Sequence, residues 1–143
     1  MQKPFNKILC PVDLQDNMFA SLDLALSLAQ GPAPTIYVLY VIPVVLSSAP
    51  GVNPMPISES EAQAELRKVA RAHLDDKVRY EIYTKVGGDT ATSILSAIEQ
   101  LGVDSVVMAT HGRKGIGRLI LGSVAQRVMR ESPCPVLTLR AAA

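Results

Sequence analysis

Apolar and polar positions alternate between two periods along the chain. Lys7-Ile-Leu-Cys-Pro-Val-Asp13 opens it with a nearly unbroken apolar run, the pattern of a strand buried on both faces. It is expected to end between Pro11 and Asp13. A helical stripe follows, with Ala20, Leu24 and Leu28 at i, i+4, i+8 and Leu22, Ala25, Leu26 and Ala29 widening it. Asp16 or Asn17 is the candidate cap, and Gly31-Pro32 the stop. Thr35 to Ile42 is a second strand, β-branched and aromatic and again apolar on both sides.

Pro43 to Ser58 holds four prolines, one glycine and three serines, so it reads as a connection, either a cover over a site or slack. A helix to about Leu74 begins at Ser58 or Ser60, with Glu61 spaced to complete a capping box with Ser58 and with Ala62, Leu66, Val69 and His73 on one side. Lys77 to Lys85 alternates charged and apolar residues, as a sheet edge or a strand with one wet face does. Gly87-Gly88 turns the chain into a helix capped by Asp89 or Thr90, carrying Ile94, Leu95, Ile98 and Leu101 and ending at Gly102. A fourth strand (Val103 to Thr110), a glycine-punctuated basic loop (His111 to Arg118), a helix from Gly122-Ser123 and a last strand (Pro135 to Leu139) complete the chain. Strand and helix alternate from end to end. Such alternation requires crossover connections, and so predicts a doubly wound α/β fold with a parallel sheet and helices on both faces.

Composition narrows the class. At 143 residues and 48% hydrophobic content the chain is expected to form a single domain, residues 1–143, with one core. The net charge of +1 shows no basic arm or acidic tail, so neither nucleic acid nor an anionic membrane is expected as a partner. Cys10 and Cys134 lack metal-ligand spacing and are expected to be reduced, mostly buried thiols. The N-terminal residues lack the apolar core of a signal peptide and no apolar run approaches a membrane span, so a soluble, cytoplasmic location is expected.

The chemistry concentrates between Asp104 and Leu139. A buried strand that delivers glycines, cations and then a helix N-terminus collects N–H groups and the positive end of a helix dipole in one place, and so suits a phosphate. The spacing matches neither a P-loop nor the glycine fingerprint of dinucleotide folds. Ligands of doubly wound sheets sit beyond the carboxyl ends of the strands, where Asp13, Val41 and Ala109 to Gly112 are expected to meet.

Ile8-Leu-Cys-Pro-Val-Asp13, Tyr40-Val41, Met108-Ala-Thr-His-Gly-Arg-Lys-Gly115, Leu121-Gly-Ser-Val-Ala-Gln-Arg-Val128 and Cys134-Pro-Val-Leu137 together resemble the universal stress protein family over essentially the whole chain. The resemblance implies a Rossmann-like, five-stranded parallel sheet of order 3-2-1-4-5. Its ATP-binding branch carries a glycine, two residues, a second glycine, nine residues, then glycine and Ser or Thr. Gly112, Gly122 and Ser123 match the later positions, whereas Ala109 stands where the first glycine belongs.

By that resemblance Asp13 would contact the ribose hydroxyls, Pro11, Val12 and Val41 the adenine, and Met108 and Ala109 would pass beneath the sugar. Gly112, Arg113, Gly122, Ser123 and Val124 would face the phosphates of ATP, with Mg²⁺ held through those phosphates. The alternatives stay open: Asp13 and Ser123 as helix caps, Lys114 and Arg118 as a solvated face, His111 as a structural residue. No residue is positioned by sequence as a base for water, so a switch or partner-binding module, turning over ATP slowly at most, is the leading reading. A nucleotide-free dimer acting on an unknown client protein is the rival, and an ATP-consuming enzyme ranks third. The resemblance further implies a homodimer through the C-terminal strand (Val136, Leu137, Thr138, Leu139), which would otherwise leave an unpaired edge.

Overall fold

The computed structural model describes residues 4–14, 19–43, 58–74, 76–110 and 122–140. The elements run β1 (Lys7–Pro11), α1 (Phe19–Leu28), β2 (Thr35–Ile42), α2 (Glu59–Leu74), β3 (Arg79–Val86), α3 (Thr90–Leu101), β4 (Ser105–Ala109), α4 (Ser123–Glu131) and β5 (Val136–Leu139). The strands form one sheet, β3-β2-β1-β4-β5, and every pairing is parallel. This is the Rossmann-like order and architecture expected from the sequence.

The two-residue repeat of each central strand divides its side chains between two apolar layers. Ile8 and Cys10 of β1, Ile36, Val38, Tyr40 and Ile42 of β2, and Val107 of β4 pack with Leu22 and Ala25 of α1 and with Ala62, Leu66, Ala70 and Leu74 of α2. Leu9, Tyr37, Leu39, Val41, Val106 and Met108 point the other way, onto Ala91, Ile94 and Ile98 of α3 and Ala125 and Val128 of α4. All eight residues of β2 are buried. Cys10 lies wholly inside and burial pushes its thiol up to about 12; Cys134 is half-buried, and both cysteines are free.

Local chemistry sets the ends. Ser58 and Glu61 form the expected capping box, the Ser58 N–H donating to Glu61 Oε2 and the Glu61 N–H to Ser58 Oγ, each at 3.2 Å. Asp89 caps α3 by accepting from the Thr92 N–H, and Gly102 closes the same helix at φ 62°, a left-handed conformation that glycine adopts without strain. Gly87 and Gly88 turn the chain at φ 74° and 84°. The candidate caps Asp16 and Asn17 of α1 lie outside the described residues, as does the connection from residue 44 to 57.

Several boundaries and faces differ from expectation for visible reasons. α1 stops at Leu28 because Ala29 bridges to Phe5, and the N–H groups of Gln30 and Gly31 donate to the Phe5 carbonyl. Its buried residues are Ser21, Leu22 and Ala25, whereas Ala20 is exposed. A helix apolar nearly all round does not announce its inner face. β4 starts at Ser105 rather than Val103, since Asp104 is engaged across the sheet: its N–H donates to the Lys7 carbonyl and its carboxylate accepts from the Asn6 and Lys7 N–H groups. On α2 the stripe is Ala62, Leu66, Ala70 and Leu74. His73 instead stacks on Phe19 with ring centroids 4.5 Å apart and meets Asp23 at 3.1 Å, joining α2 to α1 at the surface.

Leu66 is 1% exposed and anchors α2 to the sheet. Leu66→Ala is expected to cost about 2–5 kcal/mol, the range for emptying a buried leucine site. Urea denaturation checks this through the midpoint, with an unchanged denaturant slope expected if the loss lies in the folded state.

Candidate functional site

In chain order, strands are added outward from β1 through β2 to β3, after which the chain returns to the other side of β1 to lay down β4 and β5. That reversal leaves β1 and β4 as neighbours whose following segments diverge to opposite faces. In open α/β sheets, ligands commonly sit beyond the carboxyl ends of the strands near such a reversal.

A cavity of about 240 Å³ opens at this end of the sheet, lined by Pro11, Val12, Asp13, Leu39, Tyr40, Val41, Pro43, Thr90 and Ile94. Four expected site residues, Pro11, Val12, Asp13 and Val41, therefore share one wall system. The Val12 N–H donates to the Leu39 carbonyl at 2.9 Å, which fixes how the chain leaves β1. Leu39, Val41 and Ile94 form an apolar side suited to a flat ring, while Asp13 is exposed. Burial, and secondarily the charge of Asp13, raise the Tyr40 phenol above its ordinary value, so Tyr40 is a neutral hydroxyl at physiological pH.

Met108 and Ala109 do not line that cavity. Met108 is buried in the apolar layer with Leu39, Val41 and Ile94, and Ala109 is the last residue of β4. Among the described non-glycine residues only Asp76 has a positive φ, so Ala109 keeps an ordinary backbone and its methyl group imposes no conformational strain. Just beyond it the Thr110 carbonyl accepts from the Gly122 N–H at 3.2 Å, tying the start of α4 to the end of β4. Gly122 occupies the N-cap of α4 and, being glycine, offers no capping side chain of its own, in contrast to Ser58 of α2 and Asp89 of α3. Ser123 is the first helical residue and Val124 packs toward the apolar layer. Gly112, Arg113, His111, Lys114 and Arg118 lie outside the described residues.

Sequence reasoning missed the contribution of α3. Thr90 and Ile94 reach the cavity because α3 begins immediately after the double-glycine turn that ends β3. The helix start is pinned there: Asp89 accepts from the Thr92 N–H at 2.9 Å and the Thr92 hydroxyl at 2.7 Å, and Arg127 of α4 donates to the same carboxylate at 2.5 Å. Arg127 also meets Glu131 at 2.8 Å, one turn along α4. Asp89 was one of two candidate caps in the sequence, beside Thr90; its long-range partner Arg127 was not legible there.

These features define a parallel, doubly wound α/β protein with a cavity at the carboxyl ends of β1 and β2, beside the start of α3. A model of the universal stress protein family matches residues 4–140, and the chain belongs to that family. It is 32% identical over 143 residues to universal stress protein MJ0531 of Methanocaldococcus jannaschii, a match covering 95% of this chain and 82% of the relative. Its fold is similar to that of the universal stress protein UspA from Lactobacillus plantarum, with a TM-score of 0.78, 21% identity and coverage of 97% and 100% of the two chains. It is also similar to a universal stress protein from Archaeoglobus fulgidus solved in complex with dAMP, with a TM-score of 0.67, 18% identity and coverage of 94% and 98%.

The Thr92 hydroxyl, then the Thr92 N–H and Arg127, hold the Asp89 carboxyl below its ordinary value. A lowered folded-state pKa stabilises the fold above the unfolded value of about 3.9, and that contribution is lost as pH falls through the lower folded value. Asp89→Asn keeps a capping residue but removes the titration. The stability gap between wild type and Asp89→Asn is therefore expected to narrow on acidification below about pH 4, read from urea midpoints across the range; a constant gap would contradict it.

Proposed function

We propose that this universal stress protein binds an adenine nucleotide, ATP with Mg²⁺ carried on its phosphates, at the carboxyl ends of β1, β2 and β4, and works as a nucleotide-dependent switch or partner-binding module. The observation that supports this best is the cavity that gathers Pro11, Val12, Asp13 and Val41 at the strand ends, together with an α4 that starts at a glycine N-cap, Gly122. The cavity, about 240 Å³, is smaller than the roughly 300–1,000 Å³ of sites that enclose drug-sized ligands. It suits a base and part of its sugar. The phosphates would then extend outside it, toward the start of α4 at Gly122, with the first-turn N–H groups of Ser123 and Val124, and toward Gly112 and Arg113.

Within this reading Asp13, an exposed carboxylate at the end of β1, accepts hydrogen bonds from the ribose hydroxyls, and Leu39, Val41 and Ile94 enclose the ring. Met108 and Ala109 lie outside the cavity lining, so their place beneath the sugar rests on the family resemblance alone. The strand backbone of Ala109 removes the conformational argument that this substitution would disable the site. A neighbour of the same fold in complex with dAMP supports adenine as the base. Mg²⁺ would offset phosphate charge; no residue is assigned a catalytic role.

Isothermal titration with ATP, dATP and AMP tests the reading. Saturable ATP binding is expected, and Asp13→Ala should weaken it roughly 10- to 100-fold, the equivalent of about 1.5–3 kcal/mol for hydrogen bonds to a charged acceptor. Because dATP lacks one hydroxyl, Asp13→Ala should affect it less. Absence of saturation at millimolar ATP, or equal losses for ATP and dATP, would count against the nucleotide or the Asp13 assignment respectively.

The same reading includes a homodimer through β5. β5 is a sheet edge, and the bonds Val106 N–H to Pro135 O and Thr110 N–H to Leu139 O turn the odd-numbered residues of β5 toward β4. By the two-residue repeat the backbone groups of Val136 and Thr138 face outward, available to a second copy, while Leu137 packs inward on the core. Thr138→Pro removes an outward N–H and spares the ladder to β4. It is expected to lower the mass measured by light scattering at a fixed concentration while leaving the far-ultraviolet spectrum unchanged.

A further inference from the structure

The opposite edge of the sheet, β3, carries a pattern that the nucleotide site does not use. Exposed large apolar side chains among the described residues are Phe19, Tyr83, Val86 and Met129, and two of them, Tyr83 at 37% and Val86 at 54%, lie on this one strand. Tyr80 and Ile82 are half-buried, and Thr84 donates to Glu59 Oε1 at 2.7 Å on α2. The alternate positions Arg79, Glu81, Tyr83 and Lys85 are exposed on the other face, where Tyr83 lies beside Tyr37 with ring centroids 6.1 Å apart. The strand is eight residues long, and among the described residues its outer edge is unpaired.

Backbone bonding limits what can add to it. The Gly87 N–H donates to the Ile42 carbonyl, so the odd-numbered residues of β3 turn their backbone groups toward β2 and the even-numbered ones, Tyr80, Ile82, Thr84 and Val86, turn theirs outward. An antiparallel second copy must therefore oppose even residues to even residues. Charge then selects among the allowed registers. A two-fold axis at Glu81 sets Glu81 against its own copy, and one at Ile82 sets Arg79 against Lys85. An axis at Thr84 leaves all three charges without opposite-sign partners on the strand.

With the axis at Tyr83, Glu81 of each copy faces Lys85 of the other and the two Tyr83 rings meet. Val86 is then covered by Tyr80 of the second copy. Charges on an edge usually protect it from pairing. Here they are of opposite sign and four residues apart, so in this register they pair instead.

We infer that β3 is a second self-association surface, taking a second copy of this chain antiparallel about a two-fold axis at Tyr83. It is independent of the nucleotide site and of the β5 pairing. One strand pair buries less than the roughly 1,000 Å² of a stable interface, so the association is concentration-dependent. Together with a paired β5 it would join sheets edge to edge into open arrays, because the two edges lie on opposite sides of the molecule.

Sedimentation velocity over a concentration series, in the Thr138→Pro background, isolates this edge. A monomer–dimer equilibrium is expected. Lys85→Glu or Glu81→Lys alone replaces both symmetric ion pairs by like-charge pairs and should raise the dissociation constant by at least ~10-fold, whereas an equimolar mixture of the two variants restores opposite charges and should restore association. As a readout that leaves β5 intact, Tyr83→Cys combined with Cys134→Ser should form a disulfide-linked dimer on mild oxidation. Opposed residues in a non-hydrogen-bonded antiparallel pair have Cα atoms about 4.5 Å apart, within disulfide reach. A monomer at every concentration together with no crosslink, or a mixture no tighter than the single variants, would overturn the inference.

Discussion

The central strands are apolar on both faces, and the rest of the molecule follows from that constraint. β2 is buried at all of its positions, so it must lie between two helical layers and have strands on both sides. Each apolar residue of β1, β2 and β4 commits to one layer by parity, and the helices divide accordingly, α1 and α2 on one side, α3 and α4 on the other. The change of side between α2 and α3 creates the switch point. A site at the carboxyl ends is thus a by-product of covering the sheet twice.

That origin explains how stability and binding can be separated in this fold. The groups that hold the layers together, such as Leu66 and Ile98, lie deep and are fully apolar. Past the ends of the strands the last ladder bonds, Val12 to Leu39 and Thr110 to Leu139, fix the backbone, and Asp13, next to the first of them, is exposed. Arg127 crosses between the two regions, since it leaves α4 to meet the cap of α3 beside the cavity. That ion pair ties α4 to the start of α3, the helix that supplies Thr90 and Ile94 to the cavity wall.

Much of this was legible in the chain, for identifiable reasons. Strand burial, the Ser58–Glu61 box, the Asp89 cap, the Gly102 stop and the alternating edge at β3 are short-range patterns, and each was found where its spacing placed it. What escaped reading was long-range. Ala29 left α1 to pair with Phe5, Asp104 delayed β4 by bonding Asn6 and Lys7, and α3 supplied Thr90 and Ile94 to a cavity assigned to strand ends alone. In α1, abundant leucine and alanine removed the contrast by which periodicity marks a buried face, so Ala20 was placed inward and stands exposed. Spacing reports what a residue can do for its neighbours in sequence; these positions are decided by neighbours in space.

The two sheet edges show the same division of labour between local pattern and distant partner. β5 is short, its four residues are all half-buried, and its inward positions are taken by the core, so what it offers outward is mainly backbone. β3 is twice as long, and it presents charge and aromatic side chains as well as backbone on a face that no described helix covers closely enough to bury them. An edge that recognised only backbone would accept any extended chain. One whose side chains oppose correctly in a single register discriminates, because every slip by two residues brings like charges together or strands them. The β3 pattern therefore carries selectivity in its sequence, whereas β5 must draw its selectivity from the shape of the sheet around it.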